Sequence, residues 1–323
     1  MISDVSKKIL NTICYYDALS YPLTLFEIWK YLTKSESDED KKNKLKKDDD
    51  ENLQEKYSLN NILKELRTNN NLKSFIKNNQ GFYFLKGREY LVEERIKRDK
   101  LSVMKIKRLQ WLIYFLRCVP FVRMILVTGR LAMKNAQPKS DWDVLVVLKS
   151  GKIWTGRTAI TIVTQLLGKR RYGSKIRNRV CLNYFITTNS LEIRNKDFFS
   201  ANEYFFAMPI FVVGNYFKKF QLKNSWIKNY KPNYYLSEAR YLKAVDDNYF
   251  SKKVRTILEK IVDFDWLEKY LEKIEKKKIK NNPNTQKINS LIEADDQALI
   301  FLPEPQGPKI FEKFKDNIDR LWR

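Results

Sequence analysis

Two aspartates one residue apart, Asp141 and Asp143, lead into the apolar run Val144-Leu145-Val146-Val147-Leu148. Strand alternation sends both carboxylates to the same side. Two like charges at the start of a buried strand are costly unless a cation holds them. A hard divalent ion with oxygen ligands removes that penalty, which makes Asp141 and Asp143 candidate metal ligands. Upstream, Met124 to Val127 reads as another buried strand, and Thr128-Gly129-Arg130 as the turn after it. A small-residue segment with helix-like content follows, and Pro138-Lys139-Ser140 break it before the acids. A glycine between a strand and a helix lets backbone N–H groups face an anion. One site would then take a phosphate and its metal together.

The order of strand, glycine turn, short helix and D-x-D strand resembles the nucleotidyltransferase superfamily with the DNA polymerase β-type palm. The resemblance is strongest from Met124 to Ile186. Gly129 matches the family's glycine, and Asp141 and Asp143 match its two metal-binding acids; Arg130 stands where the family usually has serine. The resemblance implies magnesium-dependent transfer of a nucleoside monophosphate from an NTP to a hydroxyl acceptor. Asp141 and Asp143 would hold Mg²⁺, while Thr128, Gly129 and Arg130 would seat the triphosphate. The family's third carboxylate, the base for the attacking hydroxyl, lies on the next strand. The residue aligned there is Asn183, within Val180 to Ile186, and it counts with the two aspartates as a catalytic position. Asparagine can ligate or hydrogen-bond, but it cannot accept that proton at neutral pH. Asp197 and Glu192 are acidic neighbours that would have to substitute. The alternative expectation is a weak or inactive palm that senses a nucleotide and relays it to a DNA-bound winged helix.

Composition bounds these readings. The chain has 323 residues, 43% hydrophobic and 14% aromatic, enough for two or three domains and a sizeable core. A formal net charge of +24 favours a polyanionic partner. Histidine is absent, which excludes Ser-His-Asp and Cys-His catalysis and every histidine metal site. Carboxylate-and-magnesium chemistry survives that exclusion. Cys14, Cys118 and Cys181 are far apart and read as small buried residues in a reducing compartment, giving a cytoplasmic expectation. No signal peptide is evident. The most apolar run, Trp111 to Val127, is cut by Arg117, Pro120 and Arg123, so no membrane partner is expected.

The expected fold class is α+β, in four parts. A winged helix-turn-helix occupies residues 1–88, with a disordered charged insertion at 34–56. A basic connector helix follows over 89–120, a minimal palm of mixed sheet and helices over 121–215, and a helical C-terminal region over 216–323. In the first part, Val5, Ile9, Ile13 and Tyr16 fall at helical spacing, and Thr24 with Glu27 forms a capping box. Ser58 caps a third helix, and Leu72 to Ile76 with Phe82 and Phe84 read as a hairpin. On the third helix Lys64 and Arg67 are candidate nucleic-acid contacts, although the same fold also serves for protein docking. The connector carries Arg95, Lys97, Arg98, Lys100, Lys105, Lys107 and Arg108 as a solvated basic face, or else as a contact to DNA or RNA. After the D-x-D strand come an amphipathic helix at 151–167 and a basic loop from Lys169 to Arg179. An aromatic helical stretch follows over 196–217. Beyond Tyr230, Val254, Ile257, Leu258, Ile261 and Leu267 read as a buried helical face, and Lys276 to Pro283 as a loop. An extended segment at 298–301 and a last helix at 310–321 complete the chain. The layout is similar to a group of bacterial nucleotidyltransferase-like proteins with an N-terminal winged helix. The shared details are Tyr21-Pro22-Leu23-Thr24, Gly81 to Leu85, and Cys181 to Phe185.

Overall fold

The structure, a computed structural model, describes residues 3–34, 57–236, 244–288 and 290–322. The insertion expected at 34–56 lies, apart from Lys34, outside the described residues. Helix α1 (Asp4–Ala18) starts where the Ser3 hydroxyl accepts from the Ser6 amide at 3.1 Å, and it buries Ile9, Ile13 and Tyr16. Strand β1 (Leu23–Thr24) leads into α2 (Leu25–Lys30). Here the capping box is complete: the Glu27 amide donates to Thr24 Oγ1 at 3.2 Å, and the Thr24 amide to Glu27 Oε2 at 2.9 Å. Ser58 caps α3 (Leu59–Thr68). Residues 72–75, expected as strand, belong instead to α4 (Asn70–Phe75), because Asn69 caps a new helix through the Asn71 and Leu72 amides. Only then come β2 (Ile76–Asn79) and β3 (Phe82–Leu85), and the small antiparallel sheet runs β1-β3-β2.

Helix α5 (Leu91–Leu116) runs to the second sheet. Its stripe of Ile106, Leu109 and Leu112 is buried as the spacing predicts. Its basic face is not uniformly solvated. Arg95 and Lys105 are buried, whereas Lys97, Lys100, Lys107 and Arg108 are exposed. Arg95 is held by Glu27 at 2.8 Å and lies 4.0 Å from the centre of the Tyr21 ring. A charge pattern alone does not separate a solvated cation from one with a partner folded over it.

Strands β4 (Val122–Val127), β5 (Trp142–Leu148), β6 (Val180–Thr187) and β7 (Met208–Val212) share one six-stranded sheet with β8 (Leu291–Ala294) and β9 (Ala298–Leu302), in the order β7-β4-β5-β6-β9-β8. Only β5 and β6 pair in parallel, and α7 (Ile153–Leu166) crosses between them; the other pairs are antiparallel. The fold is therefore mixed α and β with two sheets, one of them mixed. Strand β5 reads as a continuous apolar run because both its faces are covered. Val144, Val146 and Leu148 join the core on one face, and Leu145 and Val147 the core on the other. The second face is covered by α8 (Phe198–Phe205), α9 (Tyr216–Lys223) and the 3₁₀ turn Ser225–Asn229.

The C-terminal stretch, expected to be helical apart from an extended segment at 298–301, supplies β8 and β9 to the sheet edge beside β6; β9 is that segment. Helix α10 (Tyr249–Val262) does not bury the face its spacing predicts. Ile257, Leu258 and Ile261 are exposed, and Ser251 and Arg255 are the buried residues. Polar anchors hold it and its successor α11 (Asp265–Lys280). Arg123 donates to Glu259 at 2.7 and 3.1 Å, the Phe121 amide donates to Glu259 at 2.8 Å, and the Trp154 and Thr155 amides donate to Glu268 at 2.8 and 2.9 Å. Lys276 to Lys280, expected in a loop, complete the last turn of α11. The final helix α12 (Gly307–Trp322) packs on α1, where Asn317 Nδ2 donates to the Cys14 carbonyl at 3.1 Å. No helix among the described residues is long and apolar enough to cross a membrane.

Candidate functional site

The two aspartates sit where β5 begins. Alternation back from Val147 and Leu145 puts Asp143 and then Asp141 on the face covered by α8. There they line a cavity of about 970 Å³. Its walls come from α1 (Tyr15, Tyr16), the turn after β4, β6, α8 and residues 301–310. The two ends of the chain thus close over the middle of the sheet.

The turn after β4 is shaped around Asp143. Gly129 opens the single-turn helix α6 (Gly129–Ala132) with a φ of +60°. A methyl group on it would lie 3.0 Å from Asp143 Oδ2, so only glycine leaves that carboxylate its place. The Thr128 amide donates to the Asp143 carbonyl at 3.1 Å, which fixes the turn to the strand. Of the three expected nucleotide-binding residues, Gly129 and Arg130 line the cavity, while Thr128 is buried behind it. Arg130 has no ion-pair partner among the described residues, and burial and then Arg98 push its pKa below the ordinary guanidinium value. A half-buried cation in that state gains from an anion placed beside it.

On β6 the pairing shifts by one residue. Asp143 faces Cys181, but Leu145 faces Tyr184, so β6 carries one extra residue between them. The irregularity turns Cys181, Asn183 and Tyr184 all toward the cavity. One ligand atom from each of Asp141, Asp143 and Cys181 lies within 4.8 Å of the others. The Cys181 thiol is a poor member of that set. Burial, then Asp143 and Asp141, raise its pKa to about 12, so it stays protonated, and only a thiolate ligates well. The oxygen donors that remain suit a hard ion such as Mg²⁺.

The electrostatics express how crowded the acids are. Burial, then Asp141, push the Asp143 carboxyl up to about 7, against the pull of Arg171. Arg171, from the basic loop, bonds Asp141 Oδ2 at 2.5 Å and Cys181 Sγ at 3.4 Å. A loop cation therefore already lies against one of the two acids. Behind them Lys105 of α5, only 1% exposed, donates to the Ser140 carbonyl at 2.6 Å and to Ser140 Oγ at 3.0 Å. It pins the residue immediately before Asp141.

The acidic neighbours sort differently from expectation. Glu192 pairs with Lys196 at 2.7 Å and does not line the cavity. Asp197 lines it, but its carboxylate caps α8 by accepting from the Ser200 amide at 2.6 Å. Glu203, on the same helix, also lines the cavity, and sequence reasoning passed over it. Its one signal was the polar pair Asn202-Glu203 interrupting an aromatic run. Burial, then Asp143 and Asp197, raise its pKa to about 8. Lys64 and Arg67 stand exposed on α3 and take no part in the cavity. No protein-family profile, curated protein or solved structure matches this chain.

Proposed function

We propose that the cavity binds a nucleoside triphosphate with Mg²⁺ and that the protein is a nucleotidyltransferase-like enzyme with a polymerase β-type palm. The observation that carries this reading is the pairing of Asp141 and Asp143 with a glycine fitted against the Asp143 carboxylate, in the wall of a cavity also lined by Arg130, which has no counter-ion among the described residues. Asp141 and Asp143 are the residues that would hold the ion. Bound there, it would offset the phosphates' negative charge and relieve the repulsion that raises the Asp143 pKa.

The residues divide the rest of the work. Arg130 faces the triphosphate, and the Gly129 backbone leaves it room to approach. With an ion on the two aspartates, Arg171 would leave Asp141 and turn to the phosphates, since its side chain is already 43% exposed. In transfer, the acceptor's hydroxyl oxygen bonds to the α-phosphorus, the α–β phosphoanhydride bond breaks, pyrophosphate leaves, and the hydroxyl proton passes to water in the cavity. Lys105 holds the Asp141 loop in register through Ser140. The four NTPs in calorimetric titration, with and without Mg²⁺, test the reading. Binding that needs the metal and is lost in the Asp141→Asn, Asp143→Asn double variant supports it. Binding unaffected by that variant sinks it.

One observation favours a second reading, a site that binds a nucleotide without turnover. It is Asn183 in place of an acid on β6, with Arg171 already on Asp141. Metal-dependent NTP binding without pyrophosphate release toward any acceptor would select it. In either reading the exposed Lys64 and Arg67 on α3 are the contacts that a winged helix would offer to DNA or RNA. Steeply salt-dependent retention on duplex DNA tests that part.

A further inference from the structure

We propose that the acceptor is a single-stranded nucleic acid, seated on the basic surface formed by α5, Lys139 and the loop 169–179, with its terminal hydroxyl brought to Asp141 and Asp143. The proposal deepens the nucleotidyltransferase reading above and rests on it.

The charge along the middle of the chain is one-sided. Between Asp99 and Glu192 stand eighteen lysines and arginines, and the only acids are Asp141 and Asp143. The C-terminal region neutralises part of this span: Arg117, Arg123, Lys149, Lys152 and Arg157 pair with acids of residues 246–275. Other cations of the span are left over. Arg108 of α5, Lys139, Lys175 and Arg177 are exposed, and none has an ion-pair partner among the described residues. The fold gathers them where β5 starts. The Asn178 amide donates to the Ser140 carbonyl at 3.4 Å and the Trp142 amide to the Arg179 carbonyl at 2.9 Å, so the loop is laced to the residues on either side of Asp141. Lys105 reaches the same Ser140 carbonyl from α5. Burial lowers its pKa against the pull of Asp141, and Arg177 and Arg108 stand near enough to lower it further. Cations held together with no acid between them gain from a run of phosphates.

Phosphates alone do not account for Tyr172. The turn from Tyr172 to Lys175 is closed by backbone bonds in both directions, at 3.4 and 3.0 Å, and Gly173 in it takes a φ of +51°. The Tyr172 ring is 47% exposed, with the Lys175 amine 5.3 Å and the Arg179 guanidinium 5.7 Å from its centre. Arg179 in turn donates to the Gly168 and Arg170 carbonyls at 2.6 and 3.2 Å, which fixes the base of the loop. An exposed ring on a braced turn, with cations beside it, lets a base stack while the neighbouring phosphates meet the charges. A duplex keeps its bases from such a ring, so the strand is single. Arg171, immediately before Tyr172, is the residue bonded to Asp141, so a strand stacked there ends at the acids. In the transfer its terminal hydroxyl oxygen bonds to the α-phosphorus of the NTP, the α–β phosphoanhydride bond breaks, pyrophosphate leaves, the proton passes to water, and the strand gains one nucleotide.

The test is fluorescence anisotropy of a short labelled oligonucleotide with the full chain, as single-stranded RNA, single-stranded DNA and duplex DNA, over a range of salt. Calorimetry of NTP with Mg²⁺, or with Mn²⁺ in its place, reports the nucleotide site separately. The variants are Tyr172→Ala, Tyr172→Trp, the triple variant Arg108→Ala, Lys139→Ala, Arg177→Ala, and a control that removes the same charge elsewhere, Lys252→Ala, Lys253→Ala, Lys260→Ala on α10. The wild type should bind a single strand more tightly than duplex and lengthen it when NTP and metal are added, the RNA and DNA arms showing which of the two is the acceptor. Tyr172→Ala should weaken strand binding about tenfold and Tyr172→Trp restore it. The first triple variant should flatten the slope of log affinity against log salt by about two, and the control should leave the slope near that of the wild type. No single-strand binding, with NTP binding intact, would overturn the acceptor assignment and leave the nucleotide site standing. Equal losses in the two triple variants, or a duplex bound as tightly as the single strand, would overturn it as well. So would a strand that binds and is never lengthened. A wild type that binds no NTP would remove the proposed function, and the acceptor role with it.

Discussion

Gly129→Ala separates backbone strain from damage to the site. Alanine at a φ of +60° costs about 1–2 kcal/mol, because its methyl group crowds the following carbonyl. At this position the methyl also meets Asp143 Oδ2 at 3.0 Å, closer than carbon and oxygen ordinarily sit, so the carboxylate must move by a few tenths of an ångström. A metal ligand displaced that far loses affinity. Gly81 is the control: its φ is +80°, and a methyl group there meets nothing within 4 Å. Both variants should therefore melt lower by a similar few degrees, following the shared strain. Only G129A should weaken Mn²⁺ and NTP binding, by about tenfold for a displaced ligand. Melting curves and calorimetry on the two proteins read both effects. Wild-type affinity in G129A would show that the glycine serves the turn alone, and the fit between Gly129 and Asp143 would no longer count as evidence of a site. Equal loss of binding in G81A would be as damaging, since strain far from the cavity would then account for it.

Arg171→Ala removes a half-exposed partner of Asp141, so stability should change by less than about 1 kcal/mol. Mn²⁺ affinity without nucleotide should rise while NTP affinity falls, and parallel changes in both would contradict the switching role given to Arg171. Lys105→Met should leave Ser140 without its buried donor, at a cost of about 1–3 kcal/mol in denaturant unfolding. It should also weaken metal binding, although Lys105 does not line the cavity. Glu259 supplies a pH prediction. Burial alone would raise its carboxyl, but the bonds from Arg123 and the Phe121 amide outweigh burial and hold it below the ordinary carboxylate value. The unfolded chain then binds its proton more readily than the folded one. The contribution is present above the unfolded value near 4.5 and is lost as pH falls through the folded one. Glu259→Gln should therefore be less stable than wild type at pH 7, by about 1–3 kcal/mol in denaturant unfolding, and the two proteins should converge in stability as the pH falls through the folded value.

Much of the strand framework was legible because it is written in local pattern. The apolar runs at 124–127 and 144–148 are β4 and β5, with the two acids on one face of the strand start. The cap residues Thr24 and Ser58 mark helix starts, because their hydroxyls serve amides only three residues away. What escaped depends on partners distant in sequence. Lys105 looks like any other cation of α5 until Ser140, thirty-five residues on, folds over it. The extended segment expected at 298–301 is β9, but nothing local pairs it with β6, and β8 carries too little pattern of its own. The exposed stripe of α10 has the periodicity of a buried one, but Glu259 and Arg255 anchor that helix by charge instead. Glu203 was hidden for the same reason: a helix is read for its apolar stripe, and nothing local says which polar residue of α8 will look into a cavity.

Tyr15 and Tyr16, near the start of the chain, and residues 303–310, near its end, are parts of the same wall. An occupant that fills the cavity touches both. Its binding free energy therefore includes the free energy of keeping α1 and α12 seated against the sheet, and linkage makes the exchange symmetric. A partner that grips helix α1 in its seated position lowers the occupant's dissociation constant, and one that pries it loose raises it. The occupant changes that partner's affinity to the same degree. Helix α1 and the acids of β5 are in this respect a single binding unit, although more than a hundred residues of sequence separate them.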